Sequence, residues 1–367
     1  MKKTIGSIIL LAFLLWGSGV GIAPAQQTDL QLQKIMETVK RDMPGVSYEI
    51  LKGAKVEGKL MFYHLSLPNA MPRLIQEFEK RFPFVKVQEY FASGGPLFQK
   101  FSSEARARKN VADIWEHTEI GAMNKLTDEG LLMKYKIAND AEYPDAFKRS
   151  GFWYPFCYAQ VVVAWNKDLV PDGEAVKRFK TWEGLLDPYW KGKSLATIII
   201  QSGGTTQVTY YMLHEKFGID FWKKLAALQP KQYEAVNPLA DAVGSGEVAL
   251  AWMGSEAGFY NKYDRGAPVH WTNPNPRVAV PYGQAIAKDA PHPNAAKLFQ
   301  EFIFSKVGQT IMATIQLPSF TMGDLRKHAK EPWYSLPPVY KYDMEKVYKS
   351  MRGPNSLVDQ WNKIFRK

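Results

Sequence analysis

Leu60-Met61-Phe62-Tyr63-His64 is a short, largely apolar run with the length of a buried strand. Pro68 follows and opens an amphipathic stretch from Met71 to Phe82, in which Leu74, Ile75, Phe78 and Phe82 recur at helical spacing. Val85-Lys86-Val87-Gln88-Glu89-Tyr90 then alternates as a second strand. Strand, helix and strand in such quick succession form the unit of a parallel, doubly wound α/β sheet.

The alternation continues on the C-terminal side. Ser93-Gly94-Gly95-Pro96 leads into a helix through about Arg108, Val111–Trp115 reads as a strand, and a helix closed by Gly130 runs to Leu131. The pattern changes near Phe152-Trp153-Tyr154-Pro155-Phe156, where a long apolar run, Cys157–Trp165, begins. A second α/β series comprises a strand at Leu195–Ile200, Ser202-Gly203-Gly204-Thr205-Thr206, a helix to about Phe217, and a strand at Val248–Met253. Val278–Ala287 is again strand-like, and Pro293–Phe304 is a helix with Ala295, Ala296, Phe299 and Phe302 on one face.

On the N-terminal side, residues 28–57 read as a helical, polar lead-in. Before it, Lys2 and Lys3 precede an apolar run, Ile8–Trp16, and small residues end in Ala23-Pro24-Ala25. That order predicts a secretory signal peptide over 1–25, cleaved near Ala25, and a periplasmic protein. The apolar run is too short for the roughly 20 residues of a membrane span. No Cys lies near the cleavage point to carry a lipid.

The 367 residues include 47 Lys+Arg, 36 Asp+Glu and one Cys. At about 100–200 residues per domain, two domains are expected. One Cys excludes an intrachain disulfide framework and any multi-Cys metal site. Without Lys2 and Lys3, 45 basic residues stand against 36 acidic ones, a net charge of +9. The basic residues are scattered through amphipathic segments such as Lys34–Arg41 and Lys341–Lys349, with no aromatic-interleaved stripe, so nucleic acid is not an expected partner. A monomer is expected.

The most informative motif occurs twice. Ser93-Gly94-Gly95 and Ser202-Gly203-Gly204 each lie between a predicted strand and a predicted helix. Glycine lets the backbone approach a ligand, and a helix N-terminus offers unpaired N–H groups with partial positive charge. The Ser hydroxyl either caps the helix or binds the ligand. Two such turns, one in each α/β series, fit an anion held between two helix N-termini. Catalytic signatures are missing: Gly254-Ser255-Glu256-Ala257-Gly258 lacks the spacing of a nucleophile elbow, and His214-Glu215 lacks the second His of a zinc-binding helix. Cys157 sits in an apolar strand, as a buried thiol does. No cofactor motif is present, and no enzyme is expected.

Several segments read together resemble one family. Ala164-Trp165-Asn166-Lys167-Asp168-Leu169-Val170-Pro171 and Thr181-Trp182-Glu183-Gly184-Leu185-Leu186-Asp187-Pro188-Tyr189-Trp190-Lys191-Gly192-Lys193 carry most of it. Ala112-Asp113-Ile114, Glu129-Gly130-Leu131-Leu132, Gly266-Ala267-Pro268-Val269 and Ala295-Ala296-Lys297-Leu298-Phe299 add to it. Over roughly residues 55–318 the chain resembles the extracellular solute-binding proteins of ABC transporters. The branch is that of the ferric-iron-binding proteins and their relatives for phosphonates, sugar phosphates and polyamines.

The resemblance implies the type II periplasmic binding fold. Two lobes, each a mixed, mainly parallel sheet flanked by helices, are joined by a two-strand hinge. Lobe 1 would take 57–158 and 274–322, lobe 2 would take 162–271, and C-terminal helices over 323–367 would pack on lobe 2. The implied partners are a small-molecule ligand, an ABC permease and its ATPase. A sensory receptor in place of the permease, or an exported enzyme on a similar fold, is the competing expectation.

Ferric-binding relatives place a His after the first strand, a Glu after the Asp-Val strand and two adjacent tyrosines in the second lobe. Those positions fall here on Leu67, on Thr118 with Glu119 next to it, and on Glu256-Ala257 or, with a small shift, Ala257-Gly258. Hard Fe(III) wants several oxygen anions, and these residues offer few. Ser66, Ser93, Gly94, Thr118, Ser202, Gly203, Gly204 and Thr205 instead supply hydroxyl and backbone donors for phosphate, phosphonate or carboxylate. Glu256 and Glu119 are expected to meet an amine or hydroxyl end with a carboxylate, Tyr260 is a further ligand-binding candidate, and Trp153 is expected to stack on the ligand. The expected ligand is a small organic anion, with ferric iron or a polyamine as the alternative.

Overall fold

A computed structural model describes residues 24–65, 70–92, 94–143, 145–315 and 340–366. The first elements are helices, α1 (Pro24–Asp42) and α2 (Tyr48–Glu57). Ser47 starts α2 by accepting the N–H of Ile50, and Gly58 stops it in the left-handed conformation. This stretch is more than a polar lead-in. Leu32, Val39, Met43, Val46, Leu51 and Ala54 are all buried in a core shared with β1 (Lys59–His64).

The predicted alternation follows: α3 (Ala70–Arg81), β2 (Lys86–Phe91), α4 (Gly94–Arg106), β3 (Ile114–His117) and α5 (Ile120–Asp128). The strand expected at Val111–Trp115 sits three residues later. Asp113, just before it, is held by backbone bonds on both sides, its N–H donating to the Met61 carbonyl and its carbonyl accepting from the Ala287 N–H, both at 2.9 Å, and its buried carboxylate also accepts the N–H of Met61 at 2.7 Å and that of His292 at 2.6 Å.

The run from Trp153 forms one 14-residue strand, β4 (Trp153–Asn166). Next come α6 (Asp172–Arg178), β5 (Leu195–Ile198), α7 (Gly204–Ala227) and β6 (Lys231–Tyr233). The first helical stretch of α7 ends at Phe217 as expected: Gly218 takes φ +73° and ψ 179°, outside helical geometry, and a second stretch follows it to Ala227. The rest is α8 (Val236–Gly244), β7 (Leu250–Ser255), α9 (Glu256–Tyr263), β8 (Val269–Thr272), β9 (Val278–Ile286), α10 (Pro293–Ile303), α11 (Lys306–Ile315), α12 (Met344–Ser350) and α13 (Leu357–Phe365).

The strands make a mixed sheet in the order β2-β1-β3-β9-β4-β7-β5-β6, with β8 also on β4. Its two ends are parallel: β1 pairs with β2 and β3, and β5 pairs with β6 and β7. Its middle is antiparallel, because β4 and β9 run against each other from Trp153/Ala285 to Val161/Val278. Beyond Val161, β4 leaves β9 and pairs with β7 and β8. Two strands therefore join two parallel halves.

Each half has its own core. On the β2-β1-β3 half, Phe62, Phe78, Phe299 and Phe302 pack on one face, and Tyr63, Phe101, Trp115 and Trp153 on the other. The β7-β5-β6 half is built around Trp165, Trp182, Trp190, Trp222, Trp252 and Trp271. Helix α13 closes the second core. Trp361 is fully buried, stacks on Phe365 at 4.8 Å and stands edge-on to Tyr210 at 5.9 Å. Gln232 Nε2 donates to the Phe365 carbonyl at 2.6 Å. Trp361→Ala is expected to cost about 3–5 kcal/mol. Thermal unfolding reads this as a midpoint lowered by roughly 2–4 °C per kcal/mol.

Candidate functional site

At the end of β3, His117 organises one rim. Its Nδ1 accepts the Glu119 N–H at 3.0 Å, which leaves Nε2 as the protonated nitrogen, donating to the Gly94 carbonyl at 3.0 Å. The ring thus ties the first turn of α4 to the entry of α5. Gly94 has to be small here, since a Cβ would stand 3.2 Å from His117 Nε2. The imidazole is largely buried, and burial holds its pKa below the usual histidine value.

The other rim is the turn into α7. Gly203 takes φ +111°, a conformation that excludes residues with a side chain. The two rims touch: a Cβ on Gly204 would lie 3.7 Å from the Thr118 carbonyl, 3.8 Å from its Oγ1 and 3.9 Å from Val280 of β9. Glu119, Gly121, Gly203, Gly204 and Gln207 line one cavity of about 270 Å³. Its remaining wall comes from the C-terminal segment, notably Tyr348 and Arg352. The Arg352 guanidinium lies 3.7 Å from a Glu119 carboxylate oxygen.

Of the residues expected at the site, Thr118, Glu119, Gly203 and Gly204 are brought together, and Gly94 supports them through His117. Thr205 follows in the first turn of α7. Ser66 and Ser93 lie outside the described residues. The others are engaged elsewhere. Ser202 is not the cap of α7; its hydroxyl donates to the Glu234 carbonyl at 2.7 Å. Trp153 is buried between β4 and α5, where its indole N–H donates to Asn124 Oδ1 at 3.1 Å, so its faces serve core packing rather than ligand stacking.

Glu256 is buried at the start of α9 and accepts from Gln160 Nε2 at 3.1 Å; Gln160 in turn accepts from Arg277 Nη1 at 3.1 Å. That chain belongs to the β4 and β9 crossing. Tyr260 packs edge-on to Trp271. Of the adjacent pair Tyr210-Tyr211, Tyr210 is buried, with its hydroxyl 3.0 Å from Thr197 Oγ1, so the two do not present a pair of open phenol groups.

Sequence reasoning missed His117, Tyr348 and Arg352. A histidine just past a strand that ends at a cleft was a readable signal for the first. Nothing local marks the other two, which approach Glu119 only through the fold.

A pKa held down in the folded state makes the unfolded chain the stronger proton binder between the two values. The contribution of His117 is therefore complete above about pH 6.5 and declines as pH falls through that value toward the lowered one. His117→Asn is expected to flatten the dependence of the unfolding midpoint on pH in that window, as measured by calorimetry between mildly acidic and neutral buffers.

The model of the family described as bacterial extracellular solute-binding protein matches residues 65–310. Among solved structures, the substrate binding protein of an ABC transporter from Agrobacterium tumefaciens superposes with a TM-score of 0.65 at 21% identity, over 86% of this chain and 97% of that one. Iron-bound HitA from Pseudomonas aeruginosa gives 0.62 at 19% identity, over 84% and 98%. The periplasmic binding protein AfuA from Actinobacillus pleuropneumoniae, with exogenous fructose-6-phosphate bound, gives 0.62 at 21% identity, over 84% and 99%. No curated protein matches significantly. At these identities the likeness is one of fold, the two-lobe α/β architecture.

Proposed function

The chain belongs to the bacterial extracellular solute-binding proteins, and we propose that it captures a small organic anion (a phosphonate, sugar phosphate or carboxylate) by closing two lobes over it. The family implies a small-molecule ligand, a permease partner and a place of work outside the cytoplasm. No helix among the described residues is long and apolar enough to cross a membrane. Lobe 1 is assigned to 57–158 and 274–322, and lobe 2 to 162–271. The protein works as a monomer, by binding without turnover, with a permease as its receiver.

One observation carries this reading: the Thr118-Glu119 turn and the Gly203-Gly204 turn, from opposite halves, meet around a shared cavity. The N–H groups that open α7 have no helical partners and favour negative charge. Arg352 adds a guanidinium on the same wall, and Glu119 faces it as an acceptor for a ligand hydroxyl or amine. Backbone N–H, hydroxyl and guanidinium donors suit a phosphoryl or carboxyl group better than they suit Fe(III), which supports the anion over the iron carried by HitA. A ligand that touches both turns binds the closed form better than the open one, and that difference drives closure.

The test is thermal unfolding of the stripped protein against phosphonates, sugar phosphates, carboxylates, polyamines and ferric citrate. At about 100 times its dissociation constant, a ligand adds roughly 2.7 kcal/mol. At about 2–4 °C per kcal/mol, the midpoint moves by several degrees. One anion class is expected to produce that shift; a response to ferric citrate or polyamine alone would overturn the reading. Gly204→Leu, which wedges the two turns apart, is expected to weaken the responding anion at least tenfold, about 1.4 kcal/mol, in a titration.

A further inference from the structure

The C-terminal segment reaches across both halves. Upstream of α12, the Tyr340 N–H donates to the Arg277 carbonyl at 2.8 Å and the Tyr342 hydroxyl to the Ala279 carbonyl at 2.8 Å, both at the start of β9. Downstream, α13 is sealed into the second core by Trp361 and Phe365. Helix α12 itself presents two stripes one helical turn long. Val347 and Met351 are buried in the tryptophan-rich core with α7. Met344 packs against that core and also against the one holding Trp115, Met123 and Trp153.

Tyr348 faces α5, where a Cβ on Gly121 would lie 3.6 Å from its ring. Arg352 stacks on Tyr348, with its Cζ 3.3 Å from the ring centroid, and reaches Glu119. The seat on α5 is narrow: an open cavity of about 1040 Å³ lies between α5 and residues 342–349.

We propose that α12 is a latch, carried by the second lobe and β9, that clasps α5 of the first lobe through Met344, Tyr348 and Arg352 and so biases the empty protein toward closure. The asymmetry decides which contact parts. The side toward α7 is a buried apolar seam continuous with α13. The side toward α5 is one partly buried methionine, one ring on a glycine and one exposed ion pair of the weak surface kind. Opening the lobes therefore detaches α12 from α5, not from α7. The proposal goes beyond the ligand reading and stands or falls without any ligand.

Spin labels at Lys80→Cys on α3 and Lys223→Cys on α7, both exposed, report lobe separation by double electron–electron resonance in the ligand-free protein. Tyr348→Ala/Arg352→Ala is expected to move the distribution to longer distances. Gly121→Ala, whose methyl makes only an ordinary contact, is expected to leave it in place. Arg352→Glu should lengthen the distance, and Glu119→Arg/Arg352→Glu should restore it by reversing the pair. Unfolding midpoints of all variants are measured alongside. A distribution for Tyr348→Ala/Arg352→Ala that coincides with the parent, with or without a lowered midpoint, overturns the latch and leaves α12 as packing only.

Discussion

The antiparallel ladder between β4 and β9 is the constraint from which the rest follows. Neither strand ends at the boundary between the halves, so their backbone hydrogen bonds continue from one core into the other. Breaking the ladder would strand buried N–H and C=O groups, a cost that keeps the crossing intact whatever the halves do. A register irregularity between Pro155 and Cys157 bends it. With the crossing set, the ends of β3 and β5 face each other, and the turns that follow them become the walls of one site.

The chemistry of those walls comes mostly from backbone. Gly203 and Gly204 present N–H groups because no side chain intervenes, and Gly94 leaves His117 room at its Nε2. A site built this way is small. Charge enters from two side chains far apart in the chain, Glu119 and Arg352, at the edge of the cavity. The buried Glu256–Gln160–Arg277 chain, by contrast, braces the crossing strands.

Much of the fold could be read directly. The apolar runs at Leu60–His64 and Cys157–Trp165, the helical faces of Met71–Phe82 and Pro293–Phe304, and the glycine stops obey local periods of two or 3.6 residues. Errors arose where a distant group did a local job. Ser202, placed like a cap, bonds a carbonyl 32 residues away. The lead-in helices looked polar because their apolar residues are sparse, yet Leu32, Val39, Met43, Leu51 and Ala54 are buried against the first core.

The sequence by itself determined the alternation of elements, the family and the two glycine turns, because periodicity, turn chemistry and motif are properties of neighbours in the chain. Only the tertiary structure decided which of those residues meet. Trp153 went into the core, Glu256 into the crossing, and Thr118 against Gly204. Arg352 and Tyr348 came from the far end to complete the cavity. A contact between residues 119 and 352 leaves no trace in local patterning. It arises only when the ladder of β4 and β9 has aligned the halves and the burial of Trp361 has pinned the C-terminus beside them.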